Sequence, residues 1–425
     1  MSAQRRRYWL TVAVLVLFGL AAFLGGAATD RYLARAGSER PGGFAEQAPL
    51  LEEAWAAIER DYVFKRETDP RALAHGAIRG LVEALGDEGH TRFLTPEELR
   101  REEEQLSGTF SGIGAEVSQR DGRIVVVAPL EGSPAERAGL RAGDIILRVD
   151  DEETARLTLD AAINRIRGPK GTPVRLSILR AGNDAILEVT IIRAEIAVRS
   201  VSWTLVPGTR IAHVAIAQFS ENLSAELRAA LRQARERGAA GVVLDLRDNP
   251  GGLLEQAVGV GSEFLSAGDV LLEEDADGRR RPFPVRPGGS ATDLPLAVLV
   301  NRGTASAAEI VAGAVQDHRR GLVIGERTFG AGTVLSTVRL SDGSAILLGT
   351  AQWLTPAGRA VRGQGIQPDV EVALPADQPR LSPRVAGGLS PAEIAASPDA
   401  QLREALRRLG WVEPAAGRPA PAGGL

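Results

Sequence analysis

Residues 297–315 read AVLVNRGTASAAEIVAGAV, and they decide the architecture of the larger part of the chain. Four apolar residues are followed by a polar turn carrying Gly303 and then by apolar positions at helical spacing, so the stretch spells strand, short loop, helix. The same order recurs upstream, where residues 242–246 (VVLDL) read as a strand and 253–265 as a helix, joined by the turn RDNPGG. Alternating strands and helices past residue 195 predict a mixed α/β core. In such units the helix N-terminus leaves unpaired N–H groups facing whatever sits above the strand ends. Ser306 falls in the first turn of its helix, where those amides favour developing negative charge, a sensible seat for a nucleophile. The competing reading is structural: Ser306-Ala307-Ala308-Glu309 is also a capping box, in which serine and glutamate satisfy each other's backbone donors.

Toward the N-terminus the period changes. Residues 113–117, 124–127, 144–149 and 174–179 read as short strands, interrupted by a helix capped at Ser133-Pro134 and another over 158–166. This small β-rich unit, flanked by FSGIGAEV (110–117) and RAGDIILRVD (141–150), resembles a PDZ domain. The resemblance implies that Ser111, Gly112, Ile113 and Gly114 form the loop whose N–H groups receive a peptide's terminal carboxylate, while the peptide adds a strand to the sheet edge. Before it, helical spacing over 50–62 and 69–85 and a capping box at Thr95-Pro96-Glu97-Glu98 predict a helical segment. Arg5, Arg6 and Arg7 precede an apolar run over residues 8–28, long enough to cross a bilayer core of about 30 Å with the arginines kept inside. Its length favours an uncleaved anchor over a signal peptide, although the small residues 25–28 suit a signal peptidase.

The expected fold class is therefore α/β plus α: an N-terminal transmembrane helix, a helical segment and a PDZ-like β domain inserted before a mixed α/β core. The boundaries run 1–28 anchor, 29–43 tether, 44–107 helical region, 108–183 PDZ domain, 184–375 core and 376–425 C-terminal extension, whose Pro/Ala/Gly-rich end (414–425) has little to bury. With its N-terminus anchored, the chain is expected as a single-pass protein of the cell membrane with its main body exported.

Four further segments sharpen the functional reading. LDLRDNPGGLLEQAV (244–258), VLVNRGTASAAEIVAGAVQD (298–317), VIGERTFGAGTV (323–334) and LTPAGRAVRGQGIQPDV (354–370) occur in this order after the PDZ-like unit and the segment LGDEGHTRFLTPEE (85–98). Together they resemble the carboxy-terminal processing peptidases, or tail-specific proteases, from about residue 50 to 372. The resemblance implies a peptidase that takes protein C-terminal tails, needs no cofactor or metal, and dimerises through its N-terminal helices. It places the nucleophile at Ser306 and oxyanion-binding amides at Ala307 and at Gly251 or Gly252. It also places the general-base lysine at a position that here holds Ala331, and the glutamine that orients it where this chain has Leu335.

A serine hydroxyl is a weak nucleophile until a base accepts its proton, and alanine has nothing to titrate. The only lysines are Lys65 and Lys170, outside the core, and arginine cannot accept a proton. Glu309 lies one turn from Ser306 but reads as a helix cap, and Asp317 is about 16 Å along the same helix. Of the four histidines, only His213, on the strand over 211–219, could approach the site from across the core, and the favoured reading of it is a plain strand histidine. Other chemistries lack their motifs: there is no HExxH, no Gly-Lys phosphate loop, no G-x-S-x-G elbow and no cysteine. In 425 residues the formal charge of −4 provides no basic field for nucleic acid. Two readings stand: an adaptor that captures C-terminal tails with proteolysis impaired or lost, and an active serine endopeptidase using an unrecognised or partner-supplied base.

Overall fold

The computed structural model describes residues 42–87, 90–180, 185–375 and 378–412. The apolar run over 8–28, most of the tether and the Pro/Ala/Gly-rich tail lie outside the described residues. Among the described residues no helix is long and apolar enough to cross a membrane, which corrects the expected fold class to mixed α/β with a PDZ-type unit. The twenty-residue helix Gly42–Asp61 has the length but carries Glu52, Glu53, Glu59, Arg60 and Asp61, each too costly to place in hydrocarbon.

Contacts divide the chain into Met1–Ala77 and Ile78–Leu425. The first unit holds the helix Gly42–Asp61, a 3₁₀ turn at Lys65–Glu67 and the start of the helix Pro70–Glu83. Its Leu50, Leu51, Ile58, Tyr62, Val63 and Phe64 are exposed.

In the second unit the helix Pro96–Ser107 opens with the predicted capping box, Thr95 and Glu98 each receiving the other's backbone N–H. The PDZ-type unit follows. Its sheet runs in the order Ala115–Arg120, Arg123–Pro129, Ile145–Val149, Pro173–Leu179 and Ile186–Ile192, with antiparallel pairing throughout. Ile113, Ile124, Val126, Ile146, Leu176 and Ile178 fill its core, beneath the helices Pro134–Arg137 and Leu159–Ile166.

The rest of the second unit is built on a six-stranded sheet in the order Val201–Leu205, Ile211–Ile216, Gly241–Asp245, Leu296–Val300, Leu322–Gly325, Val370–Glu371. The first pair is antiparallel and the rest are parallel. Gly241–Asp245 and Leu296–Val300 are buried at every position because both faces are covered, as parallel sheets require. The helices Leu223–Glu236, Leu254–Phe264 and Ala307–Asp317 pack on one face, and the C-terminal helices Pro383–Ala386, Pro391–Ala395 and Ala400–Arg408 on the other. A second sheet joins Arg92–Leu94, Thr333–Arg339, Asp269–Asp275 and Arg280–Pro284 to the long strand Ala345–Leu354.

A buried ionic network fastens the C-terminal helices to the sheet. Arg247, just beyond the third strand, bonds Asp245 at 2.7 and 2.9 Å, Asp399 at 2.8 and 3.1 Å, and Gln401 at 3.2 Å. Asp399 also receives the N–H groups of Leu381 and Leu402, so one carboxylate both caps a helix and pairs a cation. Burial opposes ionisation of Asp245, but the Arg247 charge and the His213 hydrogen bond hold its carboxyl far below the usual carboxylate range. We expect Arg247→Leu, which strands both carboxylates without a counter-ion, to destabilise the protein by about 3–5 kcal/mol in denaturant titrations. A group depressed in the folded state contributes fully above its unfolded value of about 4 and loses that contribution as pH falls toward the folded one. The unaltered protein should therefore lose stability on acidification below about pH 4, and the Arg247→Leu variant should lose less of it.

Candidate active site

The turn from strand to helix at residues 301–306 is closed by side chains that substitute for missing backbone partners. Thr304 Oγ1 accepts from Asn301 N–H at 3.0 Å and donates to Leu246 O at 2.8 Å, while Ala305 N–H donates to Asn249 O at 2.9 Å. These bonds lock the turn to the neighbouring turn that follows the third strand. They deliver Ser306 with φ 51° and ψ −119°, in the positive-φ region. Three of the other four described non-glycine residues with positive φ are aspartates, which tolerate it; for serine the conformation stores about 1–3 kcal/mol of strain. A strained serine on a sharp strand-to-helix turn is the geometry of a nucleophile elbow. The pattern G-x-S-x-G is absent because Thr304 and Ala308 stand where it has glycine.

Close packing is supplied instead by Gly251. A side chain there would fall 2.7 Å from Ser306 Cβ and 3.0 Å from the Ala307 nitrogen, and Gly251 itself has φ 97°. At Gly252 a side chain would meet Phe219 O at 2.4 Å. The sequence left open which of these glycines offers its amide. Gly251 N–H is bound to Asn249 Oδ1 at 2.8 Å, whereas the N–H groups of Gly252 and Ala307 have no acceptor among the described residues. The pair able to receive an oxyanion is thus Gly252 and Ala307.

Glu309 organises the other wall. It is fully buried, and its carboxylate accepts from Ser306 N–H at 2.8 Å, Ala331 N–H at 2.9 Å, Gly330 N–H at 2.7 Å and the Thr328 hydroxyl. Burial pushes its carboxyl above the ordinary value, against the pull of the four donors. Ala331 is held from its other side by Trp353 Nε1, which donates to Ala331 O at 2.9 Å. A cavity of about 1110 Å³ opens between these walls, lined by Ser306, Ala307, Gly251, Gly252, Ala331 and Leu335, with apolar surface from Leu254, Ile310, Leu347 and Trp353. The structure thus brings Ser306, Ala307, Gly251, Gly252, Ala331 and Leu335 into one chamber. Leu335 follows a bulge in its strand and faces Gly349 across the ladder.

The substitutes considered from sequence are engaged elsewhere. His213 Nε2 lies 3.0 Å from Asp245 Oδ2 in the buried ionic network and does not line the cavity. Asp317 pairs with Arg359 at 2.5 Å, and Lys170 with Glu195 at 3.1 Å. His90, which sequence reasoning passed over, does line the chamber.

In the PDZ-type unit, Ile113 O and Gly114 O are bound to Ala135 and Leu130 N–H groups, while the N–H groups of Ile113 and Gly114 have no acceptor among the described residues. Ser111 and Gly112 sit in a short strand, Thr109–Gly112, paired with Ala194–Ala197. Gly114, at φ 75°, lies so close to Ser133 that an added side chain would fall 2.5 Å from its Cβ.

Residues 210–372 match Peptidase family S41 and residues 125–180 match the PDZ domain. The chain is 36% identical over 427 residues to a carboxyl-terminal-processing protease from Synechocystis, covering 96% of this chain and 94% of that one. It is 38% identical over 326 residues to the carboxy-terminal processing protease CtpA of Bacillus subtilis, covering 76% and 69%. A solved photosystem II D1 C-terminal processing protease aligns over 77% of this chain and 94% of its own, with 34% identity and a TM-score of 0.45. A serine peptidase domain of the S41 class preceded by a PDZ domain is the kind of protein these matches define. Within that class, the chain belongs to the carboxy-terminal processing protease family.

Glu309→Gln provides a direct test of the clamp. An amide puts an NH₂ group where two N–H donors need an acceptor, so the variant should lose about 2–4 kcal/mol in chemical denaturation and increase amide exchange at Gly330 and Ala331.

Proposed function

We propose that this protein captures C-terminal tails of unstructured polypeptides through its PDZ domain and presents them to a Ser306 site from which the lysine-dependent chemistry of the family has been lost. The observation carrying this reading is the composition of one chamber: strained Ser306 and two free amides face Ala331 and Leu335. Lys→Ala at this position removes the proton acceptor, and the loss of glutamine removes the group that would hold it. The apolar lining supports binding of apolar tail residues near Ser306, and the free Ile113 and Gly114 amides support capture of a terminal carboxylate. Residues 5–28 support action outside the cytosol.

Cleavage of an unstructured protein with an apolar C-terminus checks the proteolytic half of the reading. The Ala331→Lys plus Leu335→Gln variant of the full chain should turn over at about 0.1–10 s⁻¹, toward the ordinary enzyme range. The unaltered chain should remain at least about 100-fold slower, since oxyanion binding alone still accelerates hydrolysis by about 10³–10⁴ over water. Ser306-dependent cleavage by the unaltered chain at the restored variant's rate would defeat the reading. Tail capture is checked by calorimetry: amidation of the peptide's carboxylate should weaken binding by about tenfold or more, and equal affinity for both forms would remove the PDZ assignment.

A further inference from the structure

We infer that the free edge of the strand Thr333–Arg339 is a second docking site for polypeptide, pairing backbone to backbone with an extended segment of the tail whose carboxylate the PDZ loop holds. The inference rests on the reading above for its ligand, and it adds the place where the segment ahead of the terminus lies.

Thr333–Arg339 pairs on one side only, with the long strand Ala345–Leu354. Two hydrogen bonds fix which of its backbone groups face outward. Gly349 N–H donates to Thr91 Oγ1 at 3.0 Å, and Thr91 precedes Arg92–Leu94, which lies on the opposite side of Ala345–Leu354. In an antiparallel ladder, facing residues either exchange bonds or both turn outward, so Leu335, which faces Gly349, turns its N–H and C=O away from the ladder. At the hairpin end Leu340 N–H donates to Ser344 O at 2.8 Å, which turns Leu340 inward and its neighbour Arg339 outward. Counting by twos from either end gives the same set: Leu335, Thr337 and Arg339 face out, and Ser336 and Val338 face in. The outward N–H and C=O groups have no partner among the described residues.

A row of unpaired backbone groups is a template for another strand, and native sheets normally blunt such edges. The other edges of this sheet are blunted: Arg280–Pro284 carries Pro282 and Pro284, which have no N–H to offer, and Arg92–Leu94 is only three residues long. Thr333–Arg339 has neither device. It is seven residues long, holds no proline and is exposed from Leu335 to Arg339. Its location names the occupant. Thr333 to Thr337 line the chamber that holds Ser306 and the free Gly252 and Ala307 amides. The strand begins two residues after Ala331, whose N–H shares one oxygen of Glu309 with Ser306 N–H. A polypeptide entering this chamber in extended form therefore meets the donors and acceptors of Leu335 and Thr337, spaced roughly 7 Å apart as strand residues two positions apart are.

The edge differs in kind from the PDZ loop. The loop receives one charged group at the end of a chain, whereas the edge receives an extended backbone whose own N–H and C=O groups are unpaired, which a folded segment does not present. Joined by one ligand, the two contacts bind more tightly than either alone, because the second is made at the effective concentration set by the first. Leu335 takes part through its main chain only, so a leucine in place of an orienting glutamine leaves the edge intact.

Amide exchange in the full chain, resolved by residue, provides the test. Without ligand, the Ser336 and Val338 amides should be protected and those of Leu335 and Thr337 should exchange freely. A saturating unstructured peptide with an apolar C-terminus and a free carboxylate should slow exchange at Leu335 and Thr337 by about tenfold or more. N-methylation of that peptide ahead of its terminal residues should weaken binding at every second position, by about 3–10-fold for each lost bond. Thr337→Pro removes an outward N–H and no ladder bond, so it should weaken binding by a similar factor while Ser336 and Val338 stay protected, which shows the strand still formed. Unchanged exchange at Leu335 and Thr337 with saturating peptide overturns the inference, as does N-methylation that acts equally at all upstream positions. Protection that appears on raising the protein concentration alone overturns it in favour of a second copy of this chain on the edge. If amidating the peptide's carboxylate weakens binding but the edge amides stay free, the inference falls and the tail-capture reading stands. If amidation has no effect while the edge amides become protected, the edge stands as a docking site and the PDZ reading falls.

Discussion

One buried carboxylate fixes the distance between the two walls of the active chamber. Glu309 receives Ser306 N–H and Ala331 N–H on one oxygen and Gly330 N–H and the Thr328 hydroxyl on the other, so the helix that Ser306 opens and the loop opposite it share one acceptor. A carboxylate accepting several N–H bonds at a dry site has almost no freedom to turn, because any rotation leaves a buried donor without a partner. The positive φ of Ser306 persists because Glu309 holds the serine's own amide, and strain of this kind lasts only where its surroundings over-determine it. The backbone at position 331 is thus held whatever side chain stands there. Both bonds that position Ala331 are made by its main chain, and neither depends on the side chain it carries.

Much of this was legible in the sequence where the signals are local. Strand, turn and helix around Ser306 follow from periodicity within twenty residues, and the Ser306–Glu309 capping box is a four-residue pattern. The second duty of Glu309 was not legible, since it joins residues 21 and 22 positions apart through a loop with no periodic signal. His90 was hidden for the same reason: what carries it to the site is the Thr91–Gly349 bond, which spans 258 residues. His213 lies on the strand the sequence indicates and is the plain strand histidine favoured there. Successive strand residues alternate sides, so Ala212, Val214 and Ile216 meet the helices that carry the site, while Ile211 and His213 point to the C-terminal helices. The membrane-spanning expectation rested on length and apolarity of one segment, and none of the described helices has both.

The two glycines of the Asn-Pro-Gly-Gly turn divide their work in a way composition alone does not suggest. Gly251 is small so that Ser306 can approach, and its amide is used to hold Asn249. Gly252 is small so that Phe219 can approach, and its amide is left free. The two free amides, of Gly252 and Ala307, therefore come from two neighbouring turns, each closed by its own asparagine, and the Ala305–Asn249 bond ties the two together.

The Arg247–Asp399 ion pair joins residues 152 positions apart, and Arg247 lies only a few residues before the Asn-Pro-Gly-Gly turn. During synthesis from the N-terminus, the guanidinium emerges long before the carboxylate that completes its shell. Until then a cation sits at the edge of an uncovered sheet, where water must solvate it and the C-terminal helices are not yet present to exclude that water. The strand that leads into the Asn-Pro-Gly-Gly turn is thus completed only by residues made long after it.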